Sequence, residues 1–293
     1  SRGLGDVYKR QYRDFFFDDM TRKIAIQGIK GSFHHQVVSE YYDGNLSLVE
    51  CSTFDDLSQA VLAGDCDQAV MAIENSIAGS ILPNYALLDQ YELIIVGEFY
   101  LSIQHNLMVL PGQSITDIEE VHSHPMAILQ CKNFFQDYPY IKLVESHDTA
   151  EEAMKISEKN ITRRGAIAGV WAAEIYGLSI ISESIQTIKN NVTRFVIVQK
   201  AIPEQQDNIN KAAWKFVLDH KRGSLATALN VVSDCNLNLT KIQSLPVIKT
   251  PGKYAFFVDV TFDESTDYFK AKSLLKIMAT SFKVLGEYKS DES

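Results

Sequence analysis

Gln68-Ala69-Val70-Met71-Ala72-Ile73 is a short apolar run, and the pattern on either side of it decides the fold. Upstream lie Ile24-Ala25-Ile26 with an amphipathic stretch from Phe33 to Tyr42, then Leu46 to Val49 with a second stretch from Asp55 to Leu62. Downstream, Leu82 to Asp89 is again helical in character. Short apolar strands alternating with amphipathic helices predict α/β architecture. Leu93 to Ile103 and Asn106 to Leu110 read as strands leading into a second lobe. That lobe continues through Val121, a helix after Pro125, a strand at Lys142 to Val144, a helix from Thr149 to Ser157 and the run Ala166-Ile167-Ala168. A strand from Phe195 to Gln199 closes the unit.

Ile202-Pro203-Glu204-Gln205-Gln206-Asp207-Asn208 is polar and contains proline, which marks a linker over 201–210. Beyond it the order strand (Trp214 to Leu218), helix (Ser224 to Val232), strand (Leu239 to Ile242), strand (Tyr254 to Val260), helix (Tyr268 to Met278), strand (Phe282 to Leu285) predicts a separate ferredoxin-like βαββαβ domain over 211–287. Residues 1–19 fit nothing downstream, and Leu4 to Gln11 resembles translated adapter sequence. They are set aside as a non-native or disordered leader, with Met20 as the expected start.

With 293 residues, 46% of them apolar, the chain has room for two domains and a substantial core. Its formal net charge of −9 and the lack of any Lys/Arg block argue against a nucleic-acid partner. No apolar stretch is long enough for a membrane span, and no secretory signal is visible. Cys51, Cys66, Cys131 and Cys235 lie far apart without a C-x-x-C pair, which fits buried thiols in a reducing, cytoplasmic setting.

Polar residues cluster at the ends of three apolar strands. Thr193-Arg194-Phe195 heads the run Phe195-Val196-Ile197-Val198, Glu74-Asn75-Ser76 with Gly79-Ser80 follows Ala69 to Ile73, and Ser123-His124-Pro125 precedes a helix. A guanidinium at the mouth of a buried strand needs a partner, either a structural carboxylate or an anionic ligand. Asn75 and Ser76 read as a helix start suited to a carboxylate, and Ser123 as an N-cap with Pro125 in the first turn. Glu74 reads as support. His124 is the one candidate with an intrinsic pKa near neutrality, though it lacks an orienting partner. Gly28-Ile29-Lys30-Gly31-Ser32 lacks both nucleotide-loop fingerprints and reads as a tight turn with Ser32 capping a helix. Gln130 and Cys131 read as packing residues. The histidine pairs lack companion ligands, so neither metal nor cofactor is expected.

Gly28-x-x-Gly31-Ser32-Phe33, Glu74-Asn75-Ser76 with Gly79-Ser80, Ser123-His124-Pro125 and Asn191-x-Thr193-Arg194-Phe195 occur in the order and spacing of prephenate dehydratases, and the chain resembles that family from about Lys23 to Leu285. The C-terminal module resembles the family's ACT domain through Gly223-Ser224-Leu225 and Asn238-Leu239-Thr240-Lys241-Ile242. The resemblance implies a catalytic region over 22–200 of two lobes similar to type II periplasmic binding proteins, with the site between them. Lobe one would comprise about 22–98 plus 186–200, lobe two about 104–178, with crossings near 98–104 and 178–186.

It further implies prephenate as substrate, phenylalanine as effector and a homodimer or homotetramer. Thr193 would assist loss of the ring hydroxyl, and Ser123, Asn75, Ser76 and Ser32 would bind substrate. A cation on the ring carboxylate would stabilise a group about to leave. Arg194 is therefore expected to grip the pyruvyl carboxylate, although strand alternation points it away from Thr193 and Phe195 and leaves a structural ion pair open. Phe195 reads as a pocket wall or core.

In the ACT module the effector-binding candidates are Gly223, Ser224, Leu225, Asn238, Gln243 and Ser244. Gln243-Ser244-Leu245-Pro246 stands where the family commonly has Glu-Ser-Arg-Pro, so weakened feedback is expected. Other readings are an arogenate dehydratase, a non-catalytic small-anion binding protein and an amino-acid sensor.

Overall fold

The computed structural model describes residues 21–201, 208–247, 250 and 252–290. The proposed leader and most of the proposed linker lie outside the described residues. The first lobe opens with β1 (Arg22–Gln27), α1 (Phe33–Tyr41), β2 (Leu46–Cys51), α2 (Phe54–Ala63) and β3 (Gln68–Asn75). It continues with a short return strand β4 (Gly79–Ser80), α3 (Leu82–Gln90) and β5 (Ile94–Ser102). The second lobe holds β6 (Asn106–Val109), β7 (Glu120–Ser123), α4 (Pro125–Cys131), β8 (Lys142–Glu145), α5 (Thr149–Glu158), β9 (Arg164–Ala168), α6 (Val170–Tyr176) and β10 (Ser179–Ser182). The chain then returns to the first lobe as β11 (Val192–Gln199).

Both lobes repeat one strand order, β2-β1-β3-β11-β5 in the first and β8-β7-β9-β6-β10 in the second. In each, the strand that arrives from the other lobe, β11 or β6, runs antiparallel to its two neighbours. This is the two-lobed, periplasmic-binding-protein-like arrangement. The central strands are buried on both faces, so β1 and β3 read as unbroken apolar runs rather than alternating ones.

The crossings are at 103–105 and 183–191. β5 stays in the first lobe to Ser102, while β10 and the buried Ile185 belong to the second, so the return crossing falls later than the expected 178–186. The two crossing segments bond to each other, Ile103 N–H donating to Asn191 O at 2.7 Å and Ile185 N–H to His105 O at 2.8 Å.

The C-terminal domain has the expected βαββαβ order: β12 (Lys211–Val217), α7 (Ser224–Asp234), β13 (Asn238–Pro246), β14 (Tyr254–Thr261), α8 (Ser265–Met278) and β15 (Ser281–Tyr288). One face of its sheet packs on α7 and α8 around Trp214 and Tyr268. The other face is not free. Ala255, Phe257 and Leu285 join Met71, Tyr85 and Leu88 of the first lobe in one core, with the rings of Tyr85 and Phe257 5.5 Å apart.

The two sheets also merge. β15 lies parallel to β5 at Gly286 and Ile95, giving a ten-stranded sheet from β13 to β2. A Cβ on Gly286 would overlap the carbonyl oxygen of Ile95 and lie 2.6 Å from its Cβ, so only glycine permits the approach.

Burial also sets an acid limit. His34, wedged against Phe54 and Phe195, is held down to about 3 by burial, and His105 to about 4 by burial despite its bond to Gln130. Below the ordinary histidine value near 6.5 the unfolded chain takes up two protons that the native chain refuses, so stability falls as pH drops from 6.5 toward 4. Each group contributes about 1.4 kcal/mol per pH unit over that window. Urea denaturation at pH 7 and pH 5 is expected to show the loss, and His34→Phe to remove about half of it.

Candidate active site

β3 and β11 pair antiparallel with Thr193 opposite Asn75 and Arg194 opposite Glu74, followed by a register shift before Phe195. Asn75 is not at a helix start, as the sequence reading held. It ends a strand, and its Oδ1 accepts from the backbone N–H of Ile77 (3.0 Å) and Ala78 (2.9 Å), closing the turn into β4. That fixes the amide. Its two Nδ2 hydrogens go to Asn191 Oδ1 (2.7 Å) and Thr193 Oγ1 (2.9 Å). Thr193 thus spends an acceptor lone pair on Asn75 and keeps its own proton to donate. Ser76 is exposed and its Oγ accepts from Val192 N–H at 2.9 Å, so it splices the strand ends together.

The chain of bonds continues into the second lobe. Asn191 Nδ2 donates to Gln130 Oε1 at 2.9 Å, and the same oxygen lies 2.9 Å from His105 Nε2. An amide oxygen only accepts, so Nε2 carries the imidazole proton, and burial keeps the ring neutral. Gln130 was read as packing. It is the polar residue on the otherwise apolar face of α4, and its oxygen joins the lobes while its amide nitrogen is left to donate. Asn191 and His105 were also missed as site residues. Asn191 sits two positions before Thr193, the strand spacing that puts both on one face.

α4 follows β7 directly. Ser123 is not its N-cap: fully buried, it donates to Ile167 O at 2.7 Å and ties β7 to β9. His124 caps instead, Nδ1 accepting from Met126 N–H at 3.2 Å, with Pro125 in the first turn as expected. Burial holds His124 below its ordinary value against the pull of Asp148. Asp148 caps α5 through Oδ1, and its Oδ2 would lie 3.0 Å from a Cβ on Gly28. Burial pushes its carboxyl above the usual range.

Ser32 caps α1 by accepting from His35 N–H. Gly31 adopts φ +86° and lets Ala172 of α6 approach to where a Cβ would be 3.0 Å from its Cα. The Gly28-x-x-Gly31 turn is therefore a lobe-to-lobe contact. Tyr176 Oη donating to Lys30 O (2.7 Å) and the Phe33–His105 ring contact at 5.7 Å complete it.

One expectation fails on strand geometry and burial. Arg194, 5% exposed, faces away from Thr193 and is held inside the protein. Nε donates to Glu98 at 2.7 Å, Nη2 to Tyr288 Oη at 2.9 Å, and Nη1 pairs with Asp259. Of the two readings for Phe195, the core one applies: it packs edge-on to His34. Glu74, read as support, meets Lys241 of β13 at 2.5 Å.

On the C-terminal domain Gly223 takes the left-handed conformation before α7, whose first residues are Ser224 and Leu225. Asn238 and Ser244 are exposed along β13, while Gln243 and Leu245 lie on the half-buried face, Leu245 packed on the shared core.

Among the described residues no helix is long and apolar enough to cross a membrane. All four cysteines are buried and free.

The prephenate dehydratase family model matches residues 24–203. Arogenate dehydratase 2 of Petunia hybrida is 36% identical over 287 residues, spanning 92% of this chain and 72% of that protein. The bifunctional chorismate mutase/prephenate dehydratase of Escherichia coli is 31% identical, spanning 92% and 71%. Among solved structures, a prephenate dehydratase of Arthrobacter aurescens in complex with L-Phe superposes with a TM-score of 0.80 at 25% identity, covering 91% of this chain and 89% of that one. The family model and these relatives together show that this chain belongs to the prephenate dehydratase family.

Proposed function

We propose that this chain converts prephenate to phenylpyruvate, with loss of carbon dioxide and water, and that Thr193 carries the chemistry. The supporting observation is the bond from Asn75 that takes a Thr193 lone pair and leaves its proton for the substrate hydroxyl. As the ring carboxylate leaves, its C–C bonding electrons enter the ring, the C4–O bond breaks, and the departing hydroxide takes up a proton. An alkanol is too weak an acid to surrender that proton unaided, so Thr193 acts as hydrogen-bond donor and relay. The residues linked to it, Asn75, Asn191, Gln130 and neutral His105, are uncharged. That suits the reaction: uncharged donors orient a carboxylate without holding back its departure. Incubating the protein with prephenate and following phenylpyruvate tests the reading directly.

Arogenate is the second reading, and Asp148 favours it. Gln130 lies six positions after His124, about 9 Å along α4. With the ring hydroxyl at the Thr193 end, the substrate's tail, on the opposite ring carbon, reaches toward Asp148. A carboxylate there suits the ammonium of arogenate better than the keto group of prephenate. Asp148→Ser keeps the helix cap. It is expected to lower kcat/KM for arogenate about tenfold and leave that for prephenate unchanged or raised.

Phenylalanine is the proposed effector, acting in an even-numbered oligomer. Without the charges of Glu-Ser-Arg-Pro, binding loses about 1–2 kcal/mol. Gln243→Glu is expected to tighten phenylalanine binding about tenfold by calorimetry.

A further inference from the structure

We propose that the C-terminal domain holds the catalytic pair in register through two charge clamps, with Asp259 and Lys241 as positioning residues. The inference rests on Thr193 and Asn75 being the reactive pair of the proposed dehydratase. On the paired strands β3 and β11, Thr193 faces Asn75 and the very next pair is Arg194 and Glu74. Both members of that second pair leave the first lobe. Arg194 bonds Asp259 on β14, and Glu74 bonds Lys241 on β13. Each active-site residue is thus one backbone step from a side chain anchored in the other domain.

The anchors are built to be stiff. Glu98 accepts from Arg194 through Oε2 and from Lys211 and Ser290 through Oε1, and Tyr288 Oη donates to Oε2 at 3.1 Å while accepting from Arg194. Burial alone would raise the Glu98 pKa, but Arg194 and Lys211 outweigh it and hold the carboxylate ionised. Buried and saturated charges of this kind tolerate little displacement, because any movement strands a charge without its partner. The second anchor is less enclosed: Lys241 keeps 9% of its side chain exposed, its ammonium 5.0 Å from the Tyr85 ring, and pairs with a Glu74 that is partly open to solvent. It also stands two residues before Gln243 on the same face of β13, so a shift of that strand reaches Glu74 directly.

The test uses the full chain with prephenate and arogenate. Asp259→Asn is expected to lower kcat about tenfold with KM within twofold, and Asp259→Glu to restore part of it. In a Thr193→Ala background the same Asp259→Asn change is expected to cost less than twofold, since its effect acts through the missing hydroxyl. An unchanged kcat, or a full tenfold loss in both backgrounds, overturns the proposal.

Amide hydrogen exchange gives a readout independent of turnover. Asp259→Asn should speed exchange at Thr193 and Asn75 severalfold while β1 is unaffected, and equal protection in both proteins rejects the clamp. Should Asp259→Asn fail to fold, Tyr288→Phe removes one Arg194 bond without uncovering a charge, and the same pair of outcomes applies. A wild-type protein inert toward both substrates would sink the dehydratase reading, while the exchange result would still decide the clamp.

Discussion

Thr193→Ala is expected to lower kcat for the dehydration by roughly 100-fold while KM changes little. The methyl of alanine keeps the strand intact, and Asn75 retains its bonds to Asn191 and to the turn. What disappears is the hydroxyl that accepts from Asn75 and keeps its own proton to donate. Thr193→Ser, which keeps the hydroxyl, is expected to recover most of the rate. A purely structural Thr193 predicts the opposite pattern, with a lowered melting temperature and a turnover number that follows only the folded fraction. Steady-state kinetics on prephenate beside thermal denaturation separates the two.

Gly286→Val is the second large effect, and it is expected in stability. Any Cβ at 286 drives into the carbonyl of Ile95, so β15 must withdraw from β5. The core that Leu285 and Tyr288 share with the first lobe then opens. Overpacking and lost contacts together are expected to cost on the order of 3 kcal/mol, read as a lower urea midpoint. Gly286→Ala meets the same clash with a smaller side chain and should fall between. Unchanged stability in both variants would mean that the sheet junction contributes nothing.

Much of the fold was legible because its signals are local. Unbroken apolar runs at Ile24 to Ile26 and Ala69 to Ile73 mark strands covered on both sides, and the βαββαβ order after residue 210 follows from periodicity alone. The merger of the two sheets was not legible. It depends on a single glycine whose neighbour in space is 191 positions away. At the site, Thr193 and Asn75 were visible as polar residues ending apolar strands, but their partners were not. Gln130 looked like packing because six of the seven residues of α4 are apolar or proline. The charge of Arg194 suits a substrate carboxylate, but the period of two along β11 sends it to the face opposite Thr193, toward Glu98 and Asp259. Ser123 was misread because a serine before His-Pro looks like a cap, and only the β9 carbonyl 44 residues away reveals its bond.

The shared core, the strand ladder and the ion pairs Arg194–Asp259, Lys211–Glu98 and Lys241–Glu74 join the C-terminal domain to the first lobe independently of the peptide that links them in sequence. Cutting the backbone between Ala201 and Asn208 should therefore give two bands on a denaturing gel and one particle on a sizing column. The nicked protein would keep its turnover, its two fragments held together as partners cut from a single gene product.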